Sequence, residues 1–160
     1  MKTLHIFILY LSFYCLDVKA IDCPAGWVDH DTSCYHFSHD TEPWMLAQMV
    51  CEGLGGHLPE IETALEDHFL SNEVKKLTGP YFWIGGSDLS VEGEWKWWTT
   101  KEALSYTNWL PSEPSNGAGN ENCMSLKRIS NGTVGWNDYR CSVATYYICE
   151  KQAEQTDIVG

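Results

Sequence analysis

Basic side chains are scarce in this sequence. Its 160 residues include 10 Lys and Arg against 22 Asp and Glu. A surface with this excess of negative charge repels phosphate groups, so nucleic acids and anionic membranes are excluded as partners. The same charge is compatible with the binding of divalent cations.

Apolar runs long enough to cross a bilayer are also missing. The longest run, Leu4 to Leu16, has about 13 residues, whereas a spanning helix needs about 20. Lys2 precedes this run and Val18-Lys19-Ala20 follows it as a cleavage site, which is typical of a signal peptide. We therefore interpret residues 1–20 as a signal peptide and expect a secreted, extracellular protein without membrane insertion. The remaining chain carries 21 acids and 8 bases, a formal charge of −13.

The cysteines lack the spacing of a metal-binding site. No Cys-x-x-Cys pair occurs and the histidines do not cluster with cysteines, which argues against zinc. Removal of Cys15 with the signal peptide leaves six cysteines, an even number in an oxidising compartment. Three disulfides are therefore predicted, and counting alone leaves fifteen pairings open. The six cysteines lie at positions 23, 34, 51, 123, 141 and 149.

The apolar pattern predicts two helices in one α+β domain over residues 21–150. The first helix is expected to have Thr41 as its N-cap and to end at Gly55-Gly56. The second begins with the capping-box pair Thr63 and Glu66. Its predicted apolar stripe comprises Leu65, Phe69, Val74 and Leu77.

Short strands are predicted in the rest of the domain. The aromatic segment 81–84 is typical of a buried central strand that ends at Gly85-Gly86. Trp95 and Trp97 alternate onto one face of a further strand, and core packing is favoured over an exposed aromatic platform. Residues 151–160 are interpreted as a flexible C-terminal tail. The other predicted strands lie at 23–27, 33–37, 124–129, 134–136 and 145–149.

The segment from Lys101 to Asn122 lacks periodicity, and so long a loop in a small domain is usually functional. Glu113 to Cys123 concentrates oxygen-bearing side chains among glycines, and Trp136-Asn137-Asp138 follows at a distance. Calcium takes about six to eight oxygen ligands, which the two segments supply if they lie side by side. A disulfide between Cys123 and Cys141 would hold them together. On this stretch alone, an ordinary polar loop is the competing interpretation.

Four motifs and the order of the cysteines carry a family resemblance. The motifs are Cys-Pro-x-Gly-Trp at 23–27, Trp-Ile-Gly-Gly at 83–86, Glu-Pro-Ser at 113–115 and Trp-Asn-Asp at 136–138. Over essentially all of residues 23–150, the chain resembles the long form of the C-type lectin-like domain family. The resemblance implies two helices, two small antiparallel sheets, a long loop region and three disulfides. The acidic, secreted, single-domain form resembles invertebrate lectins of the perlucin type.

The resemblance also implies a site where calcium bridges protein and sugar. In calcium-dependent members, the ligands come from a Glu-Pro-Asn motif, a later Glu and the Asn-Asp of Trp-Asn-Asp. Ser115 replaces the motif's Asn here, and a hydroxyl is a weaker calcium ligand than an amide carbonyl. A cis peptide before Pro114 is expected. The implied ligands of calcium and sugar are Glu113, Ser115, Glu121, Asn137 and Asp138, and the implied disulfides are Cys23–Cys34, Cys51–Cys149 and Cys123–Cys141.

A second, weaker calcium site is implied at the Asp-x-x-x-Glu-Gly stretch. Two positions that are usually Asp in the family are amides here, which lowers the negative charge of the site and weakens calcium binding. Solvated turn residues are the alternative interpretation of Asp88 and Glu92. The implied ligands are Asp88, Glu92, Asn116, Glu121 and Asn122.

Glu113 in the first motif position favours mannose-like sugars over galactose, by the same resemblance. The galactose type commonly has an aromatic residue just past the motif, and residues 116–120 contain none.

Asn131-Gly132-Thr133 is a sequon at a predicted hairpin tip, so Asn131 is a candidate for glycosylation.

These observations favour a secreted, calcium-dependent, carbohydrate-binding lectin that recognises glycans, for example in innate immunity. A calcium-independent lectin-like interaction protein and an acidic extracellular or biomineral matrix protein are the alternatives. An enzyme is not expected, because the clustered acids are better explained as cation ligands than as a glycosidase pair. Binding of single sugars in shallow sites is weak, so a homo-oligomer is a further expectation.

Overall fold

The computed structural model describes residues 20–156, which form two α-helices, nine strands and a short 3-10 helix at Gly117–Gly119. The predicted α+β fold is confirmed. The predicted signal peptide lies outside the described residues except for Ala20. In chain order the elements are β1 (Ala20–Asp22), β2 (Val28–His30), β3 (Ser33–Phe37), α1 (Trp44–Gly53), α2 (Ala64–Lys76), β4 (Tyr81–Ser87), β5 (Lys96–Trp97), β6 (Cys123–Arg128), β7 (Val134–Tyr139), β8 (Tyr146–Gln152) and β9 (Glu154–Thr156).

The predicted antiparallel ladders are joined into one mixed sheet. Strands β2, β3 and β8 form one ladder, and β5, β4, β6 and β7 contribute to the other. A parallel pairing of β4 with β8, through Phe82 with Tyr146 and Trp83 with Tyr147, connects the two. The two separate sheets that the resemblance implies are therefore one seven-stranded sheet in this structure. Strands β1 and β9 form an additional two-stranded sheet.

Helix α1 begins later than the sequence predicts. Its N-cap is Pro43, which makes no side-chain cap hydrogen bond, so the assignment of Thr41 is wrong. The backbone of Glu42 still pairs with Thr145 in an extended bridge, which keeps the chain out of a helical conformation up to that point. The apolar spacing also predicts a buried face that includes Trp44, Ala47, Val50 or Cys51, and Leu54; Trp44, Ala47 and Cys51 are buried, whereas Val50 and Leu54 are exposed.

Helix α2 has the predicted cap but a rotated buried face. The Thr63 hydroxyl accepts a hydrogen bond from the Glu66 backbone N–H at 3.2 Å. Leu65, predicted on the apolar stripe, is 79% exposed. The polar side chain of Asp67 turns inward instead, because it accepts hydrogen bonds from groups beneath the helix. The buried residues of α2 are Asp67, Leu70, Ser71 and Val74.

Strand β4 continues through the glycines that were predicted to end it. Its buried span reaches Ser87. A β-carbon at Gly85 would lie 2.8 Å from the carbonyl oxygen of Leu58 and 3.0 Å from that of Pro59. Glycine is thus required here by the close approach of a neighbouring backbone rather than by a turn.

An aromatic cluster fills the core beside β7. Trp97 and Trp136 are buried with ring centroids 5.7 Å apart, and Trp109 contacts Trp136 at 5.9 Å and Trp95 at 5.0 Å. Core packing of Trp95 and Trp97 is therefore confirmed. The cluster connects the long loop to the sheet.

Residues 151–156, which were predicted to belong to a flexible tail, lie largely in strands. Lys151 and Gln152 extend β8 along β3, and the N–H of Ala153 donates to the carbonyl of Thr32 at 2.9 Å. Strand β9 then pairs with β1. The tail prediction is wrong for these residues because pairing partners distant in sequence order the backbone, and 157–160 lie outside the described range.

Three disulfides staple these elements, and they are the pairs that the resemblance implies. They are Cys23–Cys34, Cys51–Cys149 and Cys123–Cys141. The second joins α1 to β8, and the third joins the start of β6 to the segment after β7. No helix among the described residues is long and apolar enough to cross a bilayer.

Candidate functional site

The long loop is fixed to β7 by backbone hydrogen bonds. The N–H of Leu110 donates to the Trp136 carbonyl at 2.9 Å, and the Trp136 N–H donates to the Asn108 carbonyl at 2.8 Å. The two segments that sequence analysis identified therefore lie side by side. Because Asn137 and Asp138 directly follow Trp136, they face the Glu-Pro-Ser motif of the loop.

Asp67 of α2 supports this arrangement from below. Its carboxylate accepts hydrogen bonds from Trp136 Nε1 at 2.6 Å and from Asn108 Nδ2 at 2.7 Å. Burial raises the pKa of Asp67, and these hydrogen bonds oppose the shift. One buried acid thus connects α2, the loop and the Trp-Asn-Asp motif.

Asp138 holds the motif loop through its backbone. The Glu113–Pro114 peptide is cis, as the resemblance implies. The N–H of Ser115 donates to Asp138 Oδ1 at 3.0 Å, and the N–H of Asn116 donates to Oδ2 at 2.5 Å. Both oxygens of the predicted ligand Asp138, which is 1% exposed, therefore serve to position the loop.

Glu121 closes the loop on itself. Its Oε2 accepts from the Gly117 N–H at 2.7 Å and from the Ser115 hydroxyl at 3.5 Å, while its own N–H donates to Asn116 Oδ1 at 3.2 Å. A β-carbon at Gly117 would lie 2.6 Å from Glu121 Oε2. The absence of a side chain at Gly117 therefore leaves room for the carboxylate.

Glu113 meets a lysine that sequence analysis did not identify. Lys127 Nζ donates to Asn137 Oδ1 at 2.9 Å and lies 3.6 Å from Glu113 Oε1. The other oxygen of Glu113, Oε2, is buried without a hydrogen-bond partner. The alternation along β6 was the available signal, since it places Lys127 on the same face as Ser125 and Cys123 beside the loop.

The donor set of this region fits a hard cation. The ligand atoms that Glu113, Ser115, Glu121, Asn137 and Asp138 offer to a cation are all oxygens, and an unpartnered carboxylate oxygen is buried among them. Within residues 20–156, no three His, Cys, Asp or Glu side chains converge on one point. Ligation here would therefore depend on the amide and hydroxyl oxygens as well as on carboxylates.

The predicted second site is only partly assembled. Asp88 is 2% exposed, its Oδ2 accepts from the Gly93 N–H at 2.8 Å, and its Oδ1 is buried without a partner. Its N–H donates to the Asn122 carbonyl at 3.3 Å, which places the end of β4 beside the loop. Glu92 is exposed, and the Asn116 side-chain oxygen already accepts from Glu121.

A separate cleft of about 860 Å³ lies between β3, α2 and β8. None of its lining residues belongs to the long loop. The Tyr35 hydroxyl donates to Glu66 at 2.9 Å and lies 3.4 Å from Glu150, which also accepts from the Ser33 hydroxyl at 2.8 Å. Burial, followed by the charge of Glu150, raises the pKa of Glu66 to about 7.

The predicted glycosylation residue lies apart from both regions. Asn131 is exposed in the turn between β6 and β7, where its side-chain oxygen accepts from the Thr133 N–H at 2.9 Å. The turn itself was predicted from Ser130-Asn131-Gly132.

Comparison with known proteins decides the family. Residues 40–151 match the family described as "Lectin C-type domain". The chain belongs to this family. Perlucin from Haliotis laevigata is 37% identical over 131 residues, which cover 81% of this chain and 83% of perlucin. The resemblance to the perlucin type is therefore confirmed.

Two solved C-type lectin folds extend this comparison. The mouse scavenger receptor C-type lectin carbohydrate-recognition domain has a TM-score of 0.74 and 33% identity, covering 84% of this chain and 99% of that one. A calcium-independent type II antifreeze protein has a TM-score of 0.71 and 32% identity, covering 84% and 98%. C-type lectin domains generally bind calcium, but the antifreeze protein is calcium-independent. Similarity of fold therefore does not by itself establish calcium binding. The family consists of binding domains, so the non-enzyme prediction is confirmed.

Proposed function

We propose that the chain is a secreted, calcium-dependent, carbohydrate-binding protein of the mannose type that recognises glycans, for example in innate immunity. The observation that carries the proposal is the meeting of two oxygen-rich segments around the buried, unpartnered Oε2 of Glu113. A buried carboxylate oxygen without a donor is costly unless a cation or donor satisfies it. Family membership supports the same conclusion.

Calcium would be held by the five predicted residues in this proposal. When bound, the ion supplies coordination positions that two neighbouring sugar hydroxyls take in place of water. The protein's contribution is to donate and accept the hydrogen bonds of those hydroxyls from the ligand side chains. The ligands are Glu113, Ser115, Glu121, Asn137 and Asp138.

The mannose preference rests on Glu113 and on the lack of an aromatic side chain in residues 116–120. The Glu113 carboxylate would accept a hydrogen bond from one sugar hydroxyl, and the Asn137 amide would donate one to the adjacent hydroxyl.

We include in the proposal a weaker second calcium site, supported by the buried, unpartnered Oδ1 of Asp88. Its other ligands would be Glu92, Asn116, Glu121 and Asn122.

Two features would support glycan recognition at a surface. A glycan on exposed Asn131 would lie on the β6–β7 turn, apart from the proposed ligands. A homo-oligomer would add avidity to weak single sites. The apolar residues exposed on α1 and just after it support self-association; they are Met45, Leu46, Met49, Val50 and Leu54.

The decisive test is a calorimetric calcium titration of residues 21–160, followed by mannose and galactose with and without chelator. We expect calcium binding and calcium-dependent mannose binding. Glu113→Gln should weaken both about tenfold or more, because a carboxylate ligand of the hard cation becomes neutral. Glu102→Gln, at an exposed position of the same loop, is the matched control and should change neither.

Other results would redirect the proposal. Sugar binding that persists in chelator would favour a calcium-independent lectin-like interaction protein. Absence of both calcium and sugar binding would leave an acidic matrix protein as the function to test next, with mineral surfaces as the probe.

A further inference from the structure

Lys127 reaches two of the proposed calcium ligands across the β6–β7 ladder. Its pairing partner is Gly135, and Asn137 lies two residues further along β7 on the same face. The ammonium group donates to Asn137 Oδ1 at 2.9 Å and lies 3.6 Å from Glu113 Oε1. The lysine thus crosses the ladder diagonally and ends at the motif.

The contact is partly shielded from solvent. The side chain of Lys127 is 27% exposed and that of Glu113 is 14% exposed. The Tyr81 ring lies 5.7 Å from the ammonium, an additional favourable contact for a cation. Within the part of the chain that the structure describes, no other lysine or arginine side chain forms an ion pair or a hydrogen bond with a proposed calcium ligand.

Calcium and the ammonium group would use the same two side chains: the ammonium lies against Asn137 Oδ1 and Glu113 Oε1, and Glu113 Oε2 is the oxygen left without a partner. Two cations at contact distance repel each other, and a partly buried site screens that repulsion poorly. The ammonium already uses the amide oxygen of Asn137 and stands beside the Glu113 carboxylate, so it opposes a calcium ion bound to the same two side chains. Calcium binding therefore competes with the contacts of Lys127 to Glu113 and Asn137.

We propose that Lys127 is an internal cation that occupies these two ligands when calcium is absent and competes with calcium for them. It thereby sets the calcium concentration at which the site fills. The inference rests on the proposed function, since it concerns the same ligands. It adds a residue that tunes the site without being a calcium ligand.

The test compares Lys127→Met with Lys96→Met by calorimetric calcium titration. Methionine keeps the length of the side chain and removes its charge. Lys96 has an exposed ion pair with Glu94, which is not a proposed ligand, so its substitution changes the net charge equally without removing a cation from Glu113 or Asn137. We expect Lys127→Met to bind calcium about tenfold more tightly than the wild type, since a close cation is removed, and Lys96→Met to bind within about twofold.

Stability in chelator gives a second, calcium-free readout. Without Lys127, Glu113 loses its counter-charge, so Lys127→Met should have a lower Tm than the wild type in chelator and a larger rise of Tm on addition of calcium. Lys96→Met should show neither effect. An unchanged calcium affinity in Lys127→Met would overturn the inference, whatever the Tm.

The outcomes separate this inference from the proposed function. Calcium binding only after Lys127→Met would support the inference and contradict calcium dependence of the natural chain. Equal binding by the wild type and Lys127→Met would contradict the inference and leave the proposed function standing. No calcium binding by either would contradict both.

Discussion

At the scale of single residues, Glu66 and Glu150 share the hydroxyl of Tyr35. Burial, followed by the charge of Glu150, raises the pKa of Glu66 to about 7, and the hydrogen bond from Tyr35 opposes the shift. Between the ordinary pKa of 4.5 and a pH of about 7, the folded protein therefore holds a proton that the unfolded chain has released. Stability from this group is present at low pH and is lost as pH rises through about 7.

We expect the free energy of unfolding in chelator to fall by about 2 kcal/mol between pH 5 and pH 8 on account of Glu66. Glu66→Gln keeps an acceptor for Tyr35 without a charge, so it should remove most of this fall. Urea denaturation at the two pH values measures it. Glu102→Gln, an exposed substitution, should keep the full dependence, and an equally steep dependence in Glu66→Gln would contradict the assignment.

Most side chains of the candidate site could be identified from the sequence, but the hydrogen bonds and contacts that they make in the fold could not. Glu113, Ser115 and the Asn-Asp pair were identified from residue types and a motif. The use of Asp138 to hold the loop backbone depends on the fold of the loop, which has no periodic pattern. Lys127 was missed because its contact with Asn137 depends on the register of β6 with β7, and a hairpin sequence does not specify a diagonal contact.

At the scale of elements, Gly85 determines how closely β4 approaches the segment after α1. Its N–H donates to the Pro59 carbonyl at 2.8 Å, and its carbonyl accepts from the Trp98 N–H at 2.8 Å. The strand is therefore held on both sides of a residue that has no room for a side chain. Backbone oxygens, unlike flexible side chains, cannot move aside at low cost.

Gly85→Ala should lower the free energy of unfolding by about 1–3 kcal/mol because it forces this backbone apart. Gly53→Ala at the end of α1 is the control, since nothing lies within 4 Å of the added methyl group. The control should be neutral or more stable by about 0.5–1 kcal/mol, as alanine favours helix. Urea unfolding compares the two, and a Gly85→Ala protein as stable as the wild type would refute the packing argument.

The elements that sequence patterns predicted correctly are those that depend on residues close together in the chain. The capping pair Thr63 and Glu66 and the aromatic strand β4 follow from neighbouring residues. The parallel pairing of β4 with β8 and the pairing of β1 with β9 join segments far apart in the chain, so no local pattern contains them. The burial of Asp67 likewise depends on Trp136, which is distant in sequence.

At the scale of the whole molecule, the chain carries a net charge of −12, while one helix exposes apolar side chains. Met45, Leu46 and Met49 are 41%, 47% and 57% exposed on α1. Two copies of an acidic protein repel each other less where they present a neutral face. A symmetric contact through α1 would bury this face, and salt would favour it by screening the remaining charge.

We expect light scattering to show a mass that rises with concentration for the wild type and remains that of a monomer for Met49→Lys. The charge placed in the apolar face would have to be buried at the contact. Leu65→Lys provides the control, because Leu65 is 79% exposed on α2 and separate from this face. A wild type that is monomeric at every concentration, or an equal effect of the control, would rule out this contact.

The aromatic cluster beside β7 gives the long loop a circular dichroism signal in the near ultraviolet. Trp109 belongs to the loop, Trp136 immediately precedes Asn137, and their indole rings meet edge to face at 5.9 Å. Excited states of indoles this close are coupled, and the coupling depends on the angle between the rings. Any rearrangement of the loop on ion or sugar binding therefore changes the near-ultraviolet circular dichroism of the unlabelled protein, so the natural chain reports on its own site.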